Sequence, residues 1–115
     1  DLGTWASIYE LAHKDEVGNA VIHPDNVLLI DSSNCMVNVP KDKLVILQGM
    51  HDFIVVEANN TLLISPKSKE QTVKQVVADV KSRYGNRYKL MRFLVLNTIK
   101  TYLLKIYTSS VTRNY

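Results

Sequence analysis

The sequence predicts a mainly β fold with flanking helices, a small sandwich, barrel or β-solenoid capped by a C-terminal helix. Three observations predict it. Short apolar runs rich in strand-forming residues recur at Val27–Ile30, Cys35–Val39, Leu44–Leu47, Phe53–Val56 and Leu62–Ile64. Turn residues separate them: Asp31-Ser32-Ser33-Asn34, Pro40-Lys41-Asp42, Gly49-Met50-His51-Asp52 and Asn59-Asn60. A helical apolar stripe follows over 69–83.

Residues 4–12 read as a short helix. Thr4 can cap it, and Trp5, Ile8, Tyr9 and Ala12 fall on one apolar face. The chain then turns polar, and Val17-Gly18-Asn19 reads as a tight turn. With that turn, residues 1–26 form an entry segment. In the β-rich domain, 27–65, the strand runs start eight or nine residues apart. Such even spacing suits a sandwich, a barrel or a solenoid, and periodicity alone does not choose among them. A solenoid coil cannot close its own ends, so it must be capped or docked at both.

Residues 66–89 supply the cap. Ser68 and Gln71 stand at capping-box spacing, Val73, Val76, Val77 and Val80 make the apolar stripe, and Gly85 supplies a left-handed stop. Glu70 near its start and Lys81 and Arg83 near its end complement the helix dipole. The tail, 90–115, has apolar residues at helical spacing (Met91, Leu94, Val95, Ile99, Tyr102, Leu103, Ile106, Tyr107) and others on the opposite side (Phe93, Leu96, Leu104). A helix apolar on both sides needs two surfaces to bury against, one on its own domain and one on a partner subunit or on upstream structure. Its Thr, Val, Ile and Tyr residues leave a strand open as well.

Composition bounds the function class. With 115 residues, 46% hydrophobic and 22% charged, the chain is a single globular domain or a piece of one, neither disordered nor a disulfide scaffold. Its first residue is Asp rather than Met, which reads as a piece of a longer chain. One cysteine fits a reducing, cytoplasmic compartment. No uncharged apolar run reaches the roughly 18 residues of a membrane span, so no membrane is expected. The net charge of +3 hides an asymmetry: nine acids and three bases in 1–65, two acids and eleven bases in 66–115. The bases are spread singly rather than in a block, so nucleic acid is not the expected partner.

The chemistry-bearing residues do not assemble into a motif. Cys35 precedes an apolar Met-Val pair and reads as a buried strand position rather than a catalytic thiol. His51 and Asp52 are adjacent in a turn, and neighbours in sequence rarely aim at one point. His13, His23 and His51 lie far apart with no ligand spacing, and neither a Walker loop nor a GxGxxG element occurs. The sequon Asn59-Asn60-Thr61 would matter only in a secreted protein, for which nothing argues. Read from its residues, the chain carries no self-sufficient active site.

A resemblance takes the reading further. Asp1-Leu2-Gly3-Thr4-Trp5, Tyr9-Glu10-Leu11 and Asp15-Glu16-Val17-Gly18-Asn19 resemble the junction region of mannose-1-phosphate guanylyltransferases, where a D-[VLI]-G-[ST]-W element closes the nucleotidyltransferase domain and a D-x-x-G-N turn follows. Asn26 through Cys35 is similar to that family's "v-l-l-i-D-s-x-N-c", Leu44 through Val56 to its "k-l-v-a-x-x-G-l-x-D-l-i-V-V", and Lys67 through Val80 to its closing helix. Asn60 stands where the family usually has an acid, the strand runs do not follow a strict six-residue repeat, and residues 90–115 match nothing in the family.

The resemblance implies that this is the non-catalytic C-terminal part of an enzyme joining GTP and mannose 1-phosphate into GDP-mannose with release of pyrophosphate. It implies a left-handed β-helix-like domain that packs on its own N-terminal catalytic domain and forms homo-oligomers through the β domain and tail. Asp1 matches the acid that helps hold Mg²⁺ in the intact enzyme, where a hard cation bridging phosphate oxygens needs carboxylates. No catalytic residue or cofactor is expected within the fragment itself. The alternative, from another class, is a stand-alone solenoid or barrel module that binds anionic ligands through its basic half. An independent enzyme built on His51 and Asp52 has adjacency alone behind it.

Overall fold

A computed structural model describes residues 9, 10, 12–58, 60–85 and 87. Among these residues six strands form: β1 (Ala20–Val21), β2 (Val27–Ile30), β3 (Met36–Asn38), β4 (Val45–Gln48), β5 (Phe53–Ala58) and β6 (Thr61–Pro66). A 3₁₀ segment (Lys67–Thr72) then leads into helix α1 (Val73–Tyr84). Of the expected first helix, Tyr9 and Glu10 are described and helical. The rest of it falls mostly outside the described residues, as do Asp1 and the tail from 90 to 115.

The strands form two sheets, one in the order β1-β3-β5-β6 and the other β2-β4. β1, β3 and β5 run parallel, and so do β2 and β4. Met36 pairs with Ile54 and Val27 with Val45, each eighteen positions further on. The isolated parallel bridge Ser33–His51 has the same offset. From β1 to β5 successive strands therefore alternate between sheets; the coil from β1 to β3 takes sixteen residues (Ala20 opposite Met36) and the later ones eighteen. This is a β-helix with open sheets. The nine-residue spacing seen in the sequence is half a coil, not a complete repeat.

The coil stops at β5. A hairpin through Asn60 (φ 61°) sends β6 back antiparallel along β5, with Val56 opposite Leu63 and Ala58 opposite Thr61. Asn tolerates this left-handed backbone better than most residues, which suits it to the turn.

Alternation in the strands builds three layers. One face of the larger sheet (Ile22, Met36, Ile54, Val56, Leu63) packs against Val73, Val77 and Val80 of α1 and against Tyr9 and Ala12. The other face (Cys35, Val37, Val39, Val55) meets Leu47 and the half-buried Val27, Leu29 and Val45 of the smaller sheet. Each fully buried aliphatic side chain contributes about 1.5–3 kcal/mol. Both faces of the parallel strand β3 and of the middle of β5 are covered, as parallel strands require, whereas Leu62 and Ile64 of the antiparallel β6 stay half exposed.

Two local expectations are corrected. No capping box forms at Ser68 and Gln71: both lie inside the 3₁₀ segment, and α1 begins at Val73 without a side-chain cap. The Lys67 N–H is already committed to the Asp52 carbonyl (2.8 Å), which pins the chain to the coil just before Ser68. The Thr72 hydroxyl donates back to the Lys69 carbonyl at 2.7 Å. Val76 points outward, leaving three valines in the stripe. Gly85 (φ 61°) ends the helix as expected, its N–H on the Lys81 carbonyl.

Candidate functional site

The polar side chains gather where the chain turns from one sheet to the other. Equivalent corner positions share a left-handed backbone through the stack: Asp31 (φ 46°) lies below Gly49 (φ 69°), and Asn34 (φ 53°) below Asp52 (φ 63°). Asn, Asp and Gly are the residues that tolerate this region.

At one such corner the structure brings His51 to Ser33. The Ser33 Oγ and His51 Nδ1 share a hydrogen bond of 2.7 Å, and His51 Nε2 lies 3.9 Å from Asp31 Oδ1. The order Ser, His, Asp suggests nucleophilic chemistry, but the surroundings do not support it. The N–H groups of Ser33, Asn34 and Asp52 are spent on the carbonyls of Met50, Val17 and Ser33. These neighbouring amides are therefore not free to stabilise an oxyanion. The Asp31 side chain is largely solvated, so its weak pairing at this range is screened. The cluster ties one coil to the next. The sequence pairing of His51 with Asp52 is thus replaced by His51 with Ser33 and Asp31, a grouping that the eighteen-residue register would have revealed.

Ser32 and Cys35 serve the same stack from inside. Ser32 Oγ donates to the Ile30 carbonyl (3.0 Å) and accepts the Met50 N–H (3.1 Å). Cys35 is fully buried, its thiol directed at the Met50 carbonyl (3.2 Å). It is buried as the sequence indicates, but it lies one residue before β3 rather than within a strand.

The second polar cluster joins the entry segment to the coils. Asp15 accepts the N–H groups of Val17 (3.0 Å) and Asn19 (2.8 Å) and the Asn19 side chain (3.0 Å). Burial pushes the Asp15 carboxyl up, but these hydrogen bonds outweigh it and hold the group below the usual aspartate range. Asn19, buried, donates to the Ser32 carbonyl and accepts the Cys35 N–H.

Tyr9 donates its hydroxyl to the Gly18 carbonyl at 2.6 Å. The Lys67 Nζ sits 3.1 Å from the Tyr9 ring centroid and the Lys14 Nζ 4.7 Å. Burial lowers the Lys67 ammonium from its ordinary value, opposed in part by the Asp52 charge. Nothing local in the sequence foretells the meeting of Tyr9 with Lys67, fifty-eight positions apart.

Among the described residues no group of three or more His, Cys, Asp or Glu could hold a metal ion. Among them also, no helix is long and apolar enough to cross a membrane. The expected Mg²⁺ residue, Asp1, lies outside the described residues.

Comparison with known proteins agrees with the topology. Residues 25–80 match the family model described as the MannoseP isomerase/GMP-like beta-helix domain. The chain is 40% identical over 80 residues to the alginate biosynthesis protein AlgA of Pseudomonas aeruginosa, covering 70% of this chain and 16% of that protein. It is 33% identical over 89 residues to a putative mannose-1-phosphate guanylyltransferase of Vibrio cholerae, covering 77% and 18%. The chain thus spans less than a fifth of the length of these curated relatives. A crystal structure described as a mannose-1-phosphate geranyltransferase from Thermus thermophilus shares the fold, with a TM-score of 0.56 and 21% identity, covering 70% of this chain and 24% of that one.

Proposed function

Since residues 25–80 belong to the MannoseP isomerase/GMP-like beta-helix domain family, we propose that this chain is the non-catalytic C-terminal part of a mannose-1-phosphate guanylyltransferase. The whole enzyme would join GTP and mannose 1-phosphate into GDP-mannose and pyrophosphate in the cytoplasm. The observation that carries the reading is the 40% identity over 80 residues to a protein about six times longer than the aligned stretch. The polar corners support the same division of labour, since their hydrogen bonds are spent between coils rather than on a substrate.

The β-helix serves packing. Tyr9, Asp15 and Asn19 fix the entering chain on the coils, and so set where an upstream catalytic domain would stand. In that enzyme Asp1 helps hold Mg²⁺ beside the phosphates. The outer face of the smaller sheet, with exposed Leu28, Ile30 and Ile46, is the surface we assign to homo-oligomer contact.

The test is the intact protein. The coding DNA on both sides of this segment is sequenced, the whole open reading frame is expressed, and GDP-mannose formation from GTP, mannose 1-phosphate and Mg²⁺ is followed. Transfer by the whole protein, and none by residues 1–115, is the expected result. A reading frame that starts just before Asp1, or a whole protein without transfer, overturns the proposal.

A further inference from the structure

The two faces of the larger sheet depend on different parts of the chain. The interior core, Cys35, Val37, Val39, Leu47 and Val55, comes from the coils alone among the described residues, with no member from α1 or from Tyr9 and Ala12. The opposite cluster, Ile22, Met36, Ile54 and Val56, is covered jointly by Val73, Val77 and Val80 of α1 and by Tyr9 and Ala12 of the entry segment. Neither cover stands by itself. A twelve-residue helix is marginal in water, and α1 starts without a side-chain cap. Of its three inward valines only Val73 is buried; Val77 and Val80 are half-buried. Tyr9 is further tied by its hydrogen bond to the Gly18 carbonyl and by the Lys67 ammonium over its ring. The Lys67 N–H, on the Asp52 carbonyl, marks the point where the C-terminal segment leaves the coil. Between that anchor and α1, Ser68, Lys69, Gln71 and Thr72 are exposed, so the helix is held down by its valine stripe.

We propose that α1, Tyr9 and Ala12 form one flap that lifts from the larger sheet as a unit while the coils stay folded. Lifting α1 uncovers the cluster on which Tyr9 and Ala12 rest, so both covers lose their support together. Opening breaks few buried apolar contacts and leaves the coil interior intact, which puts the flap at the low end of the local stabilities. The C-terminal helix thereby sets how firmly the chain entering at Tyr9 is held. In the guanylyltransferase reading above, that chain is the junction with the catalytic domain, and α1 tightens it; this consequence, unlike the flap itself, rests on that reading.

The test uses the 115-residue chain, with amide hydrogen exchange followed by NMR and nitration by tetranitromethane followed by peptide mapping. In the unaltered chain the amides of residues 80–84 should exchange at least about tenfold faster than those of Ala20 and Gly49, which donate to the Cys35 and Ile30 carbonyls within the coils. Val77→Ala and, independently, Val80→Ala each remove two methyl groups from the flap's underside and should speed exchange at 80–84 by about fivefold. Nitration of Tyr9 should rise by a similar factor relative to Tyr84, which is 51% exposed. Exchange at Ala20 and Gly49 should change by less than about twofold. Either variant suffices if the other fails to fold. Helix amides that speed up while Tyr9 nitration stays constant overturn the proposal, as do coil amides that speed up as much as the helix. Helix amides no faster than the coils in the unaltered chain overturn it as well. None of these readouts involves GDP-mannose formation, so the flap and the guanylyltransferase reading fail separately.

Discussion

The side-chain oxygen of Asn19 accepts the backbone N–H of Cys35 at 2.9 Å, and its nitrogen donates to the Ser32 carbonyl at 2.9 Å. One buried carboxamide thus joins the entry turn to the coil stacked on it. Replacing Asn19 by Ala leaves a buried N–H and a buried carbonyl without partners. About 2–4 kcal/mol should be lost, since each orphaned group costs about 1–3 kcal/mol. Urea unfolding at neutral pH measures it; an unchanged midpoint would show that water replaces the side chain.

Gly18 and Gly49 both have positive φ, 86° and 69°, but differ in their surroundings. A Cβ at Gly18 would collide with the Asn34 side chain and lie 3.2 Å from the Tyr9 hydroxyl, whereas at Gly49 nothing lies within 4 Å. Gly49→Ala should cost about 1–2 kcal/mol, the backbone strain alone. Gly18→Ala adds steric conflict and should cost at least about 2 kcal/mol more, in the range of other overpacked sites. Equal losses in the two variants would contradict the interlocking of Gly18, Asn34 and Tyr9.

Acid should loosen the entry turn first. Because the folded Asp15 carboxyl lies below its unfolded value, its contribution is complete above the usual aspartate range and is lost as pH falls through the folded value. Asp15→Asn should therefore flatten the acid limb of stability between about pH 5 and pH 2. Thermal midpoints of both proteins across that range measure the difference; parallel curves would rule Asp15 out as a source of acid sensitivity.

Tyr9→Phe removes the hydrogen bond to Gly18 and keeps the ring beneath Lys67. The expected loss is about 1 kcal/mol. A double-mutant cycle of Tyr9→Leu with Lys67→Met should give a coupling of about 0.5–1 kcal/mol for the cation–π contact. Additive single effects would mean that the ring and the ammonium act independently.

If the outer face of the smaller sheet makes the oligomer contact, Leu28→Lys with Ile46→Lys should abolish concentration-dependent association in light scattering. These side chains are exposed neighbours in register, so the unfolding midpoint at low protein concentration should move little. A wild-type chain that stays monomeric at every concentration defeats this assignment.

Much of the fold was legible residue by residue. The run at Val27–Ile30 is β2 in full and those at Phe53–Val56 and Leu62–Ile64 fall within β5 and β6, while Cys35–Val39 overruns β3 by one residue at each end and Leu44–Leu47 starts one residue before β4. Asn60 lies in an expected turn, which the structure makes a hairpin, and Gly85 ends the helix as expected. The capping box at Ser68 and Gln71 failed because a capping pattern describes a helix free to start anywhere. Here the Lys67–Asp52 backbone bond had already fixed the direction of the chain. The contact of His51 with Ser33 was missed for a different reason: adjacency favoured Asp52, and register across a coil is not a local signal.

The sequence by itself determined which segments are strands, which face of each is apolar and where the chain turns, because alternation and turn chemistry act within a few residues. It also determined the absence of a recognisable catalytic motif, and its ordered matches pointed to the family. Only the tertiary structure decided that strands nine residues apart lie in different sheets while those eighteen apart pair side by side. Alternation specifies the face a side chain takes but not the strand that becomes its neighbour. That choice rests on how the corners stack, and the stacking brought Ser33 to His51, Asn19 to Cys35 and Tyr9 to Lys67.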